Sequence, residues 1–186
     1  MEFFTTMGPG AIVLFAALGL VLLLVLAWCI WRWAQQPSRA LERLLRHHAH
    51  DIIADVVIPD GMDGHIHLNY LVLTGDGLWV IDTLNVQGVI FGAPRMDEWA
   101  VMQGHSRHSF RNPLYGLQDR VAAVKGLAVN VPVAGKAVFC RGASFPKGIP
   151  EGTLEHHAVP ELLRKDTVVS DDLLDAWQKI KTAIRA

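Results

Sequence analysis

The sequence predicts an α/β sandwich around one central mixed sheet, preceded by a single transmembrane helix. An uncharged run of 22 residues begins at Gly10, two apolar strands flank a tight turn between His65 and Leu84, and helical and strand patterns follow. These patterns divide the chain into a short N-terminus at 1–9, a transmembrane helix at 10–33, a folded domain at 37–152 and a C-terminal helical extension at 153–186.

The apolar run from Gly10 to Trp31 predicts an uncleaved membrane anchor. As a helix, 22 residues span about 33 Å, which matches a hydrocarbon core of roughly 30 Å. Four arginines follow the run by position 46, whereas Glu2 is the only charged side chain before it. The positive-inside rule then places the N-terminus outside and the domain in the cytoplasm. A signal peptide would need a basic start and a small-residue cleavage pattern, which the sequence lacks.

The segment from His65 to Leu84 predicts a β-hairpin. Gly75 and Asp76 lie between two apolar runs, and both residue types tolerate the backbone of tight hairpin turns. A turn centred there pairs residues whose numbers sum to 151. Asn69 then faces Asp82 and His67 faces Leu84, and regular alternation places all four on one side of the sheet.

The remaining patterns predict the other elements of the sandwich. Apolar residues at helical spacing, strand-forming runs and turn residues mark them along the chain. We expect a helix at 40–50, strands at 51–58 and 86–92, a short helical turn and polar loop at 94–111, a helix at 112–128, a strand at 136–140, a loop at 142–152 and a last helix after Ser170.

Three short motifs give the chain a resemblance to a known family. They are V-I-D-x-x-N at 80–85, Q-G-V-I-F-G at 87–92 and F-R-N-P at 110–113. Together they resemble the nuclease-related domain, or NERD, over about Leu41 to Phe145. That resemblance implies a fold similar to the restriction-endonuclease-like PD-(D/E)XK fold, and metal-dependent cleavage of phosphodiesters.

The resemblance also implies where the cleavage site would lie. Carried over by position, Asn69 stands where the family has Asp, Asp82 where it has Glu, and Leu84 where it has Lys. Such chemistry uses carboxylates to hold Mg²⁺ and a lysine to stabilise developing charge. Asp82 is therefore the one candidate metal ligand of the three. The alternative is a structural carboxylate bonded to Asn69 or to loop amides.

Three further residues are candidates to complete this site. Gln118 matches a glutamine of the family's helix, and Lys125 lies seven residues later on the same helix face. Glu42 on the first helix is the remaining candidate acid. Two of the three also have a simpler interpretation, because Lys125 fits a solvated surface lysine and Glu42 fits an ion pair with Arg46 one turn later.

Composition limits the other functional classes. From His47 onward the chain has 13 Lys and Arg against 16 Asp and Glu, which does not favour long-range attraction to phosphates. The paired histidines at 65 and 67, 105 and 108, and 156 and 157 have no cysteine at ligand spacing and no HExxH motif. Cys29 and Cys140 carry no motif, and we expect no small-molecule cofactor.

We therefore expect a membrane-anchored, cytoplasm-facing NERD-like domain with impaired cleavage, which binds nucleic acid or a protein partner. The first alternative is an active Mg²⁺-dependent nuclease that uses Asp82, Glu42 and a relocated Lys125. The second is a structural interaction module at the membrane.

Overall fold

The computed structural model describes residues 18–28, 37–140, 142–163 and 167–185. The chain divides into two compact units, Met1–Arg39 and Ala40–Ala186. In the first unit, residues 18–28 form helix α1 with exposed side chains. The rest of the predicted anchor at 10–33, and the predicted N-terminus at 1–9, lie outside the described residues. No helix within the described ranges is both long and apolar enough to cross a bilayer, and the anchor stays a prediction.

From Pro37 onward the elements alternate between helices and strands. In chain order they are α2 (Pro37–His48), β1 (Asp51–Pro59), β2 (His65–Thr74), β3 (Gly77–Leu84), β4 (Gly88–Phe91), β5 (Glu98–Gln103), β6 (Ser106–Arg111), α3 (Pro113–Leu127), β7 (Val133–Phe139), β8 (Ala143–Ser144), β9 (Thr153–Glu155), a 3₁₀ turn (His156–Ala158), α4 (Val159–Leu162) and α5 (Asp171–Arg185). The helices predicted at 40–50 and 112–128 and after Ser170 are confirmed within a few residues.

Five strands form a mixed sheet, sheet A, in the order β1-β2-β3-β7-β9. The first three strands are antiparallel, and β7 and β9 continue the sheet in parallel with β3. The strand predicted at 51–58 and the predicted hairpin are confirmed. In the hairpin turn, the Thr74 hydroxyl donates a hydrogen bond of 2.9 Å to the Gly77 carbonyl. A side chain at Gly77 would meet the Pro132 carbonyl oxygen at 2.5 Å, so only glycine fits there.

A second sheet, sheet B, corrects the prediction of one central sheet. Its order is β6-β5-β4-β8, and β4 confirms the short strand predicted at 86–92. The helical turn and polar loop predicted at 94–111 are wrong, because this segment forms the antiparallel hairpin of β5 and β6. Trp99 and Val101 alternate inward on β5, whereas β6 is largely exposed and therefore lacks the apolar pattern of a strand.

Two hydrophobic cores cover the opposite faces of sheet A. The main core joins one face of sheet A to sheet B, α3 and α5, and it includes the buried Trp99 and Trp177. The second core joins the other face to α2 and α4 through residues such as Leu41 and Leu45. On β3, Leu78 and Val80 face the main core and Ile81 faces the second. Alternation therefore places Asp82 on the main-core side.

The first two strands of sheet A, β1 and β2, break their regular alternation at one level. On β2, Leu71 and Leu73 face the main core beyond Asn69, whereas Leu68 faces the same core before it. On β1, the same change occurs across Asp55, which has a positive φ of 52°, and the pairing of β1 with β2 is interrupted at Asp55 and Asn69. A shift of this kind re-aims side chains locally, as bulges do beside active sites.

Candidate functional site

Asp82 lies on β3 at the end of the regularly paired part of the hairpin. The predicted register is confirmed from Thr74–Gly77 to Tyr70–Ile81, and the pairing stops one residue before Asn69 and Asp82. On its other side, Asp82 lies beside Ala137 of β7. Only 7% of Asp82 is exposed, so its carboxylate is held away from bulk water in the middle of the sheet.

A guanidinium group from α3 meets this carboxylate. Arg120 Nη1 lies 3.1 Å from Asp82 Oδ2, and Arg120 Nε donates a hydrogen bond of 2.7 Å to the main-chain carbonyl of His67. Gly116, one turn earlier on α3, leaves room for the guanidinium, because a Cβ there would lie 2.7 Å from Nη1. The arginine is thus fixed by two contacts to sheet A, one of them ionic.

The second carboxylate oxygen of Asp82 has no hydrogen-bond partner among the described residues. This atom, Oδ1, is buried. Burial raises the pKa of the Asp82 carboxyl above its usual value, and electrostatic interactions with Arg120 and, to a smaller extent, with His67 act in the opposite direction. Burial has the larger effect, so Arg120 compensates only part of the cost of holding this charge away from water.

The start of α3 fixes one wall of the site. Asn112 is 1% exposed and caps the helix, since its side-chain oxygen accepts a hydrogen bond of 2.9 Å from the Leu114 amide. Its amide nitrogen donates to the carbonyls of Pro94 at 3.0 Å and Met96 at 2.7 Å. These bonds tie the loop before β5 to the helix that carries Arg120.

A cavity of about 330 Å³ opens beside Asp82. Asn69 and Leu84 line it, as the carried-over site predicts, together with Arg111, Asp119 and Arg120. The side-chain oxygen of Asn69 accepts a hydrogen bond of 3.4 Å from the Thr83 amide, and it is not the partner of Asp82. Leu84 packs against the main core and brings no polar atom to the cavity.

The other candidate residues lie elsewhere. Gln118 and Lys125 line a separate cavity of about 540 Å³, together with Leu117, Val121 and Glu151. They share a helix face, as their spacing predicts, but the structure does not bring them into the cavity of Asp82. Their predicted roles in the site stay predictions.

Glu42 belongs to the helix on the other side of sheet A. Its neighbours on α2, Leu41 and Leu45, pack in the second core, whereas Asp82 is on the main-core side. The Glu42 carboxylate accepts hydrogen bonds from Arg46 Nε at 3.0 Å and Nη2 at 2.7 Å. Glu42 therefore forms the surface ion pair with Arg46 that its spacing also allowed, four residues apart on one helix.

The residues around Asp82 offer a weakened set of ligands for a Mg²⁺ ion. Magnesium is commonly held through one or two carboxylates, with waters or phosphates as its other ligands. Asp82 and Asp119 both line the cavity, but Arg120 Nη1 lies 3.1 Å from Asp82 Oδ2 and offsets part of the charge of that carboxylate. Within the described residues, no three His, Cys, Asp or Glu side chains come together in a way that could hold a metal ion.

Sequence reasoning missed Arg120, Asp119 and Arg111 as residues of this cavity. Arg120 had one local signal, the glycine one turn before it on a helix that starts with Asn-Pro. That signal predicts room for a large side chain on the helix surface, but not its contact with β3. The pairing of Arg120 with Asp82 joins residues 38 positions apart, and only the fold brings them together.

The fold and site define a mixed α/β domain with a buried acid on a central hairpin strand, faced by a helix that carries a cation. The family model for the nuclease-related domain, NERD, matches residues 32–140, which is more than half of the chain. The chain therefore belongs to the NERD family, and the resemblance carried by its motifs is confirmed. No curated protein and no solved structure matches the chain.

Proposed function

We propose that this chain is a NERD-domain protein that binds nucleic acid without metal-dependent cleavage. The observation that supports this most is the guanidinium of Arg120, 3.1 Å from the single buried carboxylate of the site. A cation fixed by the protein neutralises part of the charge that would otherwise attract Mg²⁺. The nuclease-related family supplies the expectation that the ligand is a nucleic acid.

The residues that surround Asp82 support the loss of cleavage. Metal-assisted hydrolysis needs a metal ion to activate water and a positive group to stabilise charge that develops on the phosphate. Asn69 offers a neutral amide, and Leu84 offers an aliphatic group where the family has lysine. The active-nuclease alternative relies on Glu42 and Lys125. Glu42 lies on α2, which covers the opposite face of sheet A, and Lys125 lines the separate cavity of about 540 Å³, so both positions weigh against that alternative.

The proposal includes a membrane anchor at residues 10–33 and a domain that faces the cytoplasm. Its support is the length of the apolar run and the arginines that follow it. Protease treatment of sealed inside-out and right-side-out vesicles tests the orientation. Cleavage of the domain in inside-out vesicles alone is expected, and cleavage in right-side-out vesicles would contradict the orientation.

The test of the function uses the full chain in detergent micelles. Supercoiled plasmid is incubated with the protein and Mg²⁺ or Mn²⁺, and nicking is compared with a sample that contains EDTA. The wild type should nick no faster with metal than with EDTA, while oligonucleotide retention should fall as salt rises. Asp82→Ala is the site variant, and Asp172→Ala, at an exposed acid in the first turn of α5, is the matched control.

Two results would overturn this proposal. Metal-dependent nicking that Asp82→Ala abolishes and Asp172→Ala leaves intact would show an active nuclease. Failure to retain single-stranded or duplex oligonucleotides, even at low salt, would leave the structural interaction module as the better interpretation.

A further inference from the structure

The outer face of sheet B is left open by the described residues. Trp99 and Val101 of β5 point into the main core, so alternation directs Ala100 and Met102 to the other side. Directly opposed residues in antiparallel strands share a face, and Met102 lies opposite both Val89 and Arg107. We call this surface the open face, and its residues are Val89, Phe91, Glu98, Ala100, Met102, Arg107, Ser109 and Arg111.

Positive charge is concentrated on the open face. Arg107 and Arg111 are exposed on β6, and Lys147 reaches the same face from the loop after β8. Among the described residues none of these three cations forms an ion pair, whereas Arg46, Arg120 and Lys181 each have a carboxylate partner. Glu98 is the one acid of the open face. A chain with a net charge of −1 thus carries a local basic surface.

An aromatic ring lies within this basic surface. Phe91 is half-buried on β4, and Lys147 Nζ lies over its ring at 5.9 Å from the centroid. The face of the ring, rather than its edge, therefore points toward the Lys147 ammonium. An exposed cation–π contact is weaker than the stacking of a base on an aromatic ring. A base can therefore replace Lys147 on Phe91 while the ammonium moves to a phosphate.

We propose that the open face binds single-stranded nucleic acid. This proposal rests on the proposed function and adds the surface and the class of strand. Stacking on Phe91 requires an unpaired base, and a sheet face that combines cations with an aromatic ring is typical of single-strand binding. The major groove of a duplex admits a helix or a two-stranded ribbon, and a four-stranded face does not enter it.

The open face is continuous with the cavity beside Asp82. Arg111 ends β6 on the open face, and it also lines that cavity together with Arg120. The next residue, Asn112, caps α3, so the junction between surface and cavity is held by the buried bonds of that cap. A strand that lies along β6 thus leads toward the position where a cleaving relative would hold its metal.

The experiment measures binding of a fluorescent oligothymidine and of a matched duplex to the full chain in detergent micelles. The site variants are Arg107→Glu, Arg111→Glu and Phe91→Ala, and the control is Lys179→Glu at an exposed position on α5. The wild type should bind the single strand at least about tenfold more tightly than the duplex. Each arginine reversal should weaken binding about fivefold or more and reduce the salt dependence, and Phe91→Ala should weaken it roughly 5- to 150-fold.

Thermal unfolding of each variant separates loss of binding from loss of folding. Arg107→Glu is expected to melt as the wild type does, because the side chain is exposed and lies opposite Met102. Arg111→Glu should melt slightly lower, because the new carboxylate lies opposite Glu98. These two variants keep the test valid if Phe91→Ala folds poorly. If both arginine variants bind with wild-type affinity, or if Lys179→Glu loses as much affinity as they do, the open face is not the binding surface. The proposed function, nucleic-acid binding by the chain, would still stand.

An anionic lipid surface is the competing occupant of the open face. The same oligonucleotide is therefore tested with the chain in phosphatidylcholine nanodiscs, with and without phosphatidylserine. Equal binding in both discs supports the proposal. Loss of binding in the phosphatidylserine discs, together with protection of Arg107 from trypsin in those discs but not in phosphatidylcholine discs, assigns the open face to lipid and overturns the proposal.

Discussion

Two aspartates of sheet A show how differently one fold can hold the same side chain. Asp51 begins β1, and its Oδ2 accepts hydrogen bonds from Lys181 Nζ at 2.6 Å and from Trp177 Nε1 at 2.9 Å. Its Oδ1 accepts from the Ile52 amide at 2.9 Å. Asp82 on β3 has one ionic contact, to Arg120, and a buried oxygen without a partner among the described residues.

The two carboxyls have pKa values that shift in opposite directions. Burial acts to raise the pKa of Asp51, but the hydrogen bonds from Lys181, Trp177 and the Ile52 amide outweigh it and the pKa is lowered. At Asp82 burial outweighs the electrostatic interactions with Arg120 and His67, and the pKa is raised. The bonds of Asp51 stabilise its charged form in the fold, whereas Asp82 is held at a cost, which makes it a candidate for a functional role.

The largest effect is expected from Asp51→Ala. This change leaves the indole N–H of the buried Trp177 without its acceptor and removes the partner of Lys181. We expect the free energy of unfolding to fall by about 2 kcal/mol, because an unsatisfied buried donor costs about 1–3 kcal/mol and an exposed ion pair adds little. Urea unfolding at neutral pH measures this.

Asp51→Asn is the matched control for that prediction. It keeps an oxygen that can accept from Trp177 while it removes the charge that pairs with Lys181. Its loss should therefore be smaller than that of Asp51→Ala. If both variants unfold as the wild type does, Asp51 does not stabilise the fold and the contrast with Asp82 disappears.

A smaller effect of the opposite sign is expected from Asp82→Asn. The amide has nearly the shape of the protonated carboxyl, which the folded protein favours because burial raises the pKa of Asp82. Arg120 keeps its bond to the His67 carbonyl after the change. We expect a gain of about 1 kcal/mol in unfolding free energy at neutral pH, as is common when a functional compromise is relieved. A loss of stability would make Asp82 a structural carboxylate like Asp51.

A comparison of the two hairpins shows how far the sequence can predict this fold. The hairpin of β2 and β3 follows from its turn residues and apolar runs, and its register follows from the turn. The hairpin of β5 and β6 escapes prediction because β6, the edge strand of sheet B, has only one apolar side chain, Phe110. Local pattern predicts a strand only where one face of it is buried.

The site was predictable only in part for a related reason. Periodicity places Glu42 and Lys125 on the correct helices, but it does not say which face of sheet A each helix covers. That choice depends on how the chain crosses from strand to strand. The same limit hides the partner of Asp82, since Arg120 reaches it through the packing of α3 on the sheet.

The smallest effect, and the one that compares both aspartates directly, is the pH dependence of stability. Asp51 has a lowered folded pKa, so its contribution is present above the unfolded value near 3.8 and is lost as the pH falls through the folded pKa. Asp82 has a raised folded pKa, so its contribution is fully present below 3.8 and is lost as the pH rises through the folded pKa.

Melting temperatures of the wild type and of Asp51→Asn and Asp82→Asn, measured from pH 3 to pH 7, test both signs together. As the pH rises, the wild type should become more stable relative to Asp51→Asn and less stable relative to Asp82→Asn, with differences of a few degrees. Both differences should shrink toward pH 3, where each carboxyl is increasingly protonated in the unfolded chain. Differences of the same sign would mean that the unpaired oxygen of Asp82 costs the fold nothing.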